Sequence, residues 1–432
     1  MSVRAFLALV CSLLIAGLAP AQEANLFFDT VDVNVVNLEV VVTDKTGLPV
    51  SGLTLDDFTI LEDGQTVPIS NFFAIENGVP AAESLPEDET PVPVGAPGLV
   101  GPETQRLQLI IFVDNLTIRP ENRNLIFTQL RQFLRERLEP TDQVMIVVAD
   151  DAVEIAQPFT NEAQLLEAAI DRLEKRVGTQ VQFDVEYRTL LRSIQRASLA
   201  LPGQGGGAGG SLAAESSFDV DTAIAEAASL AREIRTVSER RYRMVLSALG
   251  ALDRFIDTLA GMRGRKAVLY LSDGLPVNSA DSLVEAWTGK YLDWIQTVGE
   301  PQLLLEITSL GSLEYDSGTD LSDLISEATV RQVAFYPISS FARGGVMGIS
   351  AEYGDSGTVS GGAGLRAAAD LEAMNRESTL LSLAEGTGGV AFTRSTNITD
   401  LLNQVRQDFS TFYSLGFQSP PEANECRCEA RA

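Results

Sequence analysis

The sequence predicts an α/β protein with a doubly wound, mostly parallel sheet, preceded by a small β domain. Two runs carry most of that expectation. Leu107–Asp114 (LQLIIFVD) and Lys266–Asp273 (KAVLYLSD) are almost wholly apolar until each ends in an aspartate. Unbroken apolar runs suit strands covered on both faces, as in the middle of a parallel sheet. The third observation is the alternation between them: strand-like segments separated by stretches with apolar residues at helical spacing. In such sheets ligands sit beyond the carboxyl ends of the strands, which is where Asp114 and Asp273 would stand.

The elements follow in order. Arg4, the apolar stretch Ala5–Leu18 and Ala19-Pro20-Ala21 have the pattern of a cleaved secretory signal over residues 1–21. The expected location is therefore periplasmic or extracellular. The stretch is short for a span of ~20 residues and no later run replaces it, so no membrane span is expected in the mature chain. Residues 25–75 read as the small β domain. Val31, Val33 and Val35 alternate with Asp32 and Asn34, and further short strands are expected at Leu38–Thr43, Phe58–Glu62 and Val67–Phe73. Residues 76–105, with six prolines between Asn77 and Gln105, read as a linker.

From 106 to 418 the pattern is strand and helix in turn, about six strands in all. Helices are expected at Glu121–Leu138, Glu162–Val177, Tyr242–Leu259, Leu321–Thr329, Glu377–Glu385 and Ile398–Phe409. Strands are expected at Gln143–Ala149, Gln332–Ile338, Gly389–Thr393 and Thr411–Phe417, with Val153–Phe159 added at a sheet edge. Insertions of mixed character interrupt this pattern at about 181–238, 279–322 and 341–375. The first has helical flanks at Tyr187–Leu199 and Asp221–Ile234, and Phe341–Gly364 reads as a Gly/Ser-rich loop. Residues 419–432 form a tail without the pattern of a strand.

Composition excludes whole classes of chemistry. The chain has 432 residues, no histidine and a formal net charge of −27. Without imidazole there is no Ser-His-Asp or Cys-His catalysis and no His-ligated zinc. So acidic a chain repels nucleic acid, whose phosphates need Lys and Arg. It suits solubility, a divalent cation or a basic partner. Cys426 and Cys428 stand too close together to staple a fold, and Gly205–Ser211 lacks the Lys-Ser/Thr ending of a phosphate loop. Trp287 and Trp294, at helical spacing, suit burial more than a partner surface. Arg263–Lys266 suits a solvated turn, and the sequons at Asn115 and Asn397 are short enough to arise by chance.

Four segments in order resemble a known family: Val41–Gly64 (VVTDKTGLPVSGLTLDDFTILEDG), FVDNLT at 112–117, LAGMRGRKAVLYLSDGLP at 259–276, and LAEGTGGVAF at 383–392 followed by FYSLGF at 412–417. The chain resembles the bacterial von Willebrand factor A-related family of exported proteins. The resemblance implies a Rossmann-like A domain after the small β domain, and a role in protein binding or adhesion rather than catalysis. It also implies a metal-ion-dependent adhesion site for Mg²⁺ or another divalent cation. Asp114 matches the first aspartate of that site, Asp273 the last, and Thr179 the threonine between them. The two serines of the pattern are replaced by Leu116 and Ile118, which carry no oxygen, while Asn115 and Thr117 are possible loop contributors at the alternate positions. Loss of two oxygen ligands weakens a hard-cation site, and both aspartates can serve instead as loop caps. Two other functions stay open: a metal-assisted, phosphatase-like hydrolase using Asp114 and Asp273, and a structural envelope component.

Overall fold

The computed structural model describes residues 34–76, 79–80, 108–199, 220–339, 361–393, 398–419 and 428–431, apart from 46–48, 63, 139, 141, 151, 179, 198, 263–264 and 312–313. The expected signal segment, the glycine-rich tract at 202–210, the loop from Phe341 to residue 360, Asn397 and Cys426 lie outside these residues. In chain order the strands are β1 (Asn34–Val40), β2 (Thr59–Glu62), β3 (Gln65–Val67), β4 (Ile69–Glu76), β5 (Val79–Pro80) and β6 (Gln108–Asp114). Helix α1 (Pro120–Glu136), strands β7 (Gln143–Ala149) and β8 (Val153–Thr160), and helices α2 (Ala163–Glu174), α3 (Gln180–Arg196) and α4 (Val220–Thr258) follow. After β9 (Lys266–Leu271) come α5 (Asp281–Val298), α6 (Pro301–Gly311), α7 (Gly318–Val330), β10 (Val333–Ile338), α8 (Gly361–Thr387), α9 (Ile398–Ser410), β11 (Phe412–Ser419) and β12 (Cys428–Arg431).

The larger of two compact units, residues 39–53 with 73–413, holds a five-stranded sheet in the order β10-β9-β6-β7-β8. Its first four strands are parallel, and β8 runs antiparallel along β7. The apolar runs are explained by burial from both sides. On one face Leu109, Ile111, Val113, Leu269 and Leu271 pack on α1, α2 and α9. On the other, Ile110, Phe112, Val268 and Tyr270 pack on the second half of α4, on α7 and on α8. Residues of β6 alternate strictly between the two, as the two-residue period of a strand requires. Pro120 begins α1, where a missing N–H costs nothing. The exposed edge at β8 is blunted: Pro158 has no N–H to offer and Arg172 donates to the Ala156 carbonyl at 3.1 Å.

Several expectations are corrected here. Among the described residues the parallel-type sheet has five strands rather than about six: Gly389–Thr393 is reduced to an isolated bridge between Ile338 and Phe392, and β11 belongs to a second sheet, in the order β1-β11-β4-β5. Gly389 explains the close approach, since a Cβ there would lie 1.9 Å from the Phe335 carbonyl oxygen. The linker begins later than expected, because β4 runs to Glu76 and β5 follows it. The helical flank Asp221–Ile234 and the helix Tyr242–Leu259 are one continuous 39-residue helix, α4. At 1.5 Å per residue it is about 58 Å long.

The described parts of the insertions at 181–238 and 279–322 are mostly helical and share one core. Leu190, Leu191 and Ile194 of α3, Ala227, Leu230 and Ile234 of α4, and Leu283, Trp287 and Tyr291 of α5 are buried together, with Ile307 and Leu310 of α6. Trp287 lies on the Tyr291 ring at 4.9 Å and donates from Nε1 to the Ala227 carbonyl at 3.1 Å. Trp294 is buried beside them.

The smaller unit is made of the remaining segments. Within it β2 and β3 form a hairpin turned at Gly64, whose φ of 79° suits glycine. The expectation of a tail without a strand is corrected: β12 pairs antiparallel with β2, Cys428 opposite Glu62 and Arg431 opposite Thr59.

Candidate functional site

The parallel pairing of β6 with β9 brings the two aspartates to one rim. Val113 lies opposite Leu271, so Asp114 ends its strand where Ser272 and Asp273 leave theirs. The chain then turns sharply, with the Asp114 carbonyl accepting from the backbone N–H of Thr117 at 3.2 Å and of Ile118 at 2.9 Å.

Asp114 is 1% exposed. Its Oδ1 accepts from the Leu116 N–H at 3.2 Å, and its Oδ2 from the Thr117 hydroxyl at 2.6 Å and the Tyr270 hydroxyl at 2.5 Å. Because the Thr117 proton goes to Asp114, the 2.7 Å contact between Thr117 and Ser272 is donated by Ser272. Ser272 in turn accepts from the Gly274 N–H at 3.0 Å. Burial pushes the Asp114 carboxyl above the usual carboxylate range, and the hydrogen bonds from Thr117, Tyr270 and Leu116 oppose it in part.

Asp273 is 2% exposed. Its Oδ2 accepts from the Arg119 N–H at 3.0 Å, and Asn122 Nδ2 donates to Oδ1 at 2.9 Å and Oδ2 at 2.8 Å. Burial raises its pKa to about 6, against the pull of Arg119, Asn122 and Arg376. The Arg119 guanidinium itself turns to Asp184, with Nε 2.6 Å from Oδ2.

A raised folded-state pKa means that the folded chain holds its proton where the unfolded one has lost it. The contribution of Asp273 is therefore full below the ordinary value near 3.8 and is lost as pH rises through about 6. Relative to Asp273→Asn, the wild type should lose up to about 3 kcal/mol across that window and little beyond it. Urea unfolding of both proteins from pH 4 to 8 reads the difference; a constant gap would refute it.

The remaining sequence-derived candidates do other work. Asn115 turns away from the rim: its amide donates to Asp150 and, at 3.5 Å, to the Val177 carbonyl, and its Oδ1 accepts from Arg123 Nη1 at 2.6 Å. Arg123, 1% exposed, also donates from Nη2 to the carbonyls of Glu174 at 3.1 Å and Arg176 at 2.9 Å, closing the C-terminal end of α2. Leu116 and Ile118 are buried in opposite hydrophobic layers. Thr179 lies outside the described residues; its neighbour Gly178 fits closely on the Asn115 carbonyl, 3.3 Å from where a Cβ would be.

The loop after β9 is clamped from α8. Gly274 has a φ of 84°, and a Cβ there would fall 2.3 Å from the Arg376 carbonyl oxygen. Arg376 donates from Nη1 to the Gly274 carbonyl at 3.3 Å, and Thr379 to the Leu275 carbonyl at 2.6 Å. Glu372 holds Arg376 in place, Nε to Oε1 at 2.8 Å, and binds Arg241 Nη2 at 2.5 Å and the Ser282 hydroxyl at 2.9 Å. Burial raises the Glu372 pKa, but the fields and hydrogen bonds of Arg241 and Arg376 together outweigh it, so the carboxyl lies well below its usual range.

Both carboxylates are engaged within the chain: Asp114 accepts from Leu116, Thr117 and Tyr270, and Asp273 from Arg119 and Asn122. No group of three or more His, Cys, Asp or Glu side chains that could hold a metal occurs among the described residues.

Sequence reasoning missed Tyr270, Ser272, Arg119, Asn122 and Arg376. Ser272 was within reach, beside Asp273 in the quoted SDG; Arg376 had no local signal. The basic stretch at 263–266 is corrected too. Arg265 donates to the Asp408 carbonyl at 3.0 Å, and Lys266 is buried with its Nζ on the Met262 carbonyl at 3.0 Å, so neither lies in a solvated turn. Asn115, the first sequon, is buried.

Fold and site together define a mixed α/β protein whose mostly parallel sheet is flanked by helices, an arrangement compatible with a Rossmann-like fold, with two carboxylates locked into one rim. The chain matches no protein-family model and no curated protein. No described helix is long and apolar enough to cross a membrane.

Proposed function

We propose that the chain is an exported, non-enzymatic protein-binding module of the von Willebrand factor A-related kind, with a degenerate adhesion site that recognises its partner without a metal ion. The observation that carries this reading is the burial of both carboxylates and their engagement within the chain. Leu116, Thr117 and Tyr270 serve Asp114, and Arg119 and Asn122 serve Asp273. A rim so tied keeps its shape without an ion to organise it. Their burial argues against hydrolysis, since a nucleophile or a metal-assisting carboxylate must reach substrate. Recognition then falls to the segments bordering the rim, where Val177 is 85% and Met374 63% exposed. Val177 directly precedes the Gly178 contact, and Met374 stands between Glu372 and Arg376 on α8.

Two measurements test this. Calorimetric titration with Mg²⁺, Mn²⁺ and Ca²⁺ should give no saturable heat. Saturable binding abolished by Asp114→Ala or Asp273→Ala would overturn the metal-free reading. Crosslinked capture from an envelope extract should retain the same protein in Mg²⁺ and in chelator, and lose it with Val177→Asp or Met374→Glu. Capture of nothing, or capture indifferent to both substitutions, would sink the binding role at this surface.

A further inference from the structure

The junction of α3, α4, α5 and α8 contains buried polar atoms left without a well-formed hydrogen bond among the described residues. Arg241 and Ser238 stand three residues apart on α4 and so share one face. The Arg241 guanidinium lies over the ring of Tyr187 from α3, its Cζ 4.6 Å from the centroid. Arg241 is 3% exposed, Ser238 0% and Tyr187 8%. Arg241 Nη2 binds Glu372, but among the described residues Arg241 Nη1, Ser238 Oγ and Tyr187 Oη make no hydrogen bond of ordinary geometry; the Ser282 hydroxyl, which influences Tyr187, already donates to Glu372. The stack on the Tyr187 ring compensates the face of the guanidinium; it does nothing for the two hydroxyls.

An unmade hydrogen bond from a buried group is costly, and for a charged donor more so. Arg241 touches Tyr187 and Ser238 is one helical turn from Arg241, so the three border one junction and call for a common partner. All three can donate. Charge points the same way. Glu372 is shared between the two guanidiniums of Arg241 and Arg376, so this triad carries one more positive than negative charge. Arg376 also feels Asp184 and Asp273 from the rim, but Arg119 already takes Asp184 directly.

We infer that this junction binds one small monovalent anion, received by Arg241 Nη1, Ser238 Oγ and Tyr187 Oη. The site lies within the helical layer and is independent of the rim reading. Chloride and a short carboxylate share the required chemistry, a compact single charge with acceptors only.

The test follows the melting temperature of the full chain at constant ionic strength, with chloride or acetate replacing gluconate, a much bulkier anion. A saturable rise of roughly 2–5 °C is expected in at least one of the two series, and which one identifies the guest as halide or carboxylate. The double variant Tyr187→Phe with Ser238→Ala, which removes only two hydroxyls, should abolish the rise. Should the double variant fold poorly, Ser238→Ala alone serves the same comparison. A flat wild-type response in both series overturns the inference in favour of water at these atoms. An equal rise in the variant overturns it in favour of adventitious surface binding.

Discussion

Glu372→Leu is expected to destabilise the protein by about 3–5 kcal/mol, enough to leave little folded material at 37 °C. The carboxylate is buried and joins Arg241 of α4, Arg376 of α8 and Ser282 of α5. Removing it leaves two guanidiniums in the interior with no shared counter-charge. That is far worse than losing a surface ion pair such as Arg135 with Glu167, worth about 0–1 kcal/mol. The effect has a pH signature. A depressed carboxyl gives its stability above the ordinary value near 4.5 and loses it as pH falls, so the gap between wild type and variant should narrow in acid. Denaturant unfolding of wild type and Glu372→Gln, the milder change, measures it. A loss below about 1 kcal/mol in Glu372→Gln at neutral pH would show that the triad contributes no more than a surface pair.

The second large effect is expected at Gly274. Gly274→Ala places a methyl group 2.3 Å from the Arg376 carbonyl oxygen and asks an L-residue to hold a φ of 84°. Backbone faces backbone, so no side-chain rotation can relieve the overlap. The loop carrying Ser272 and Asp273 must then move off α8, at a cost of about 3 kcal/mol or more. Besides the lower melting temperature, the displacement should release the Arg119 and Asn122 hydrogen bonds to Asp273. Faster amide hydrogen exchange at Arg119 reports that release. Wild-type exchange in a stable Gly274→Ala protein would refute the clamp.

Both effects lie where the sequence was hardest to read. Strands β6 and β9 were legible because burial on both faces leaves an unbroken apolar run, and the aspartates after them stood out as interruptions. Helix α8 was not. It opens with Gly361-Gly362-Ala363-Gly364, residues that favour loops, and only its second half carries the spacing of a packed helix. Arg376 and Glu372 therefore had no expected element to sit on, and their partners outside α8 are 90 or more residues away in the chain. Helix α4 was split in two because Arg235–Arg243 is mostly polar and charged. Tertiary packing buries Ser238 and Arg241 there against the usual preference of their side chains. Strand β12 escaped notice for another reason: a four-residue edge is too short to show a period, and pairing with β2 is what defines it.

The 39-residue helix has a bearing on how this molecule can be cut and rebuilt. Its outer half helps build the α3–α5 core, and its inner half lines the sheet through Val245, Leu252 and Phe255. What looked like a detachable insertion is therefore one end of a beam whose other end is structural flooring. Trimming 181–238 away would sever that beam mid-span and expose Trp287 and Tyr291 to water, so shortened versions must keep the whole helix or supply a new cap near Tyr242.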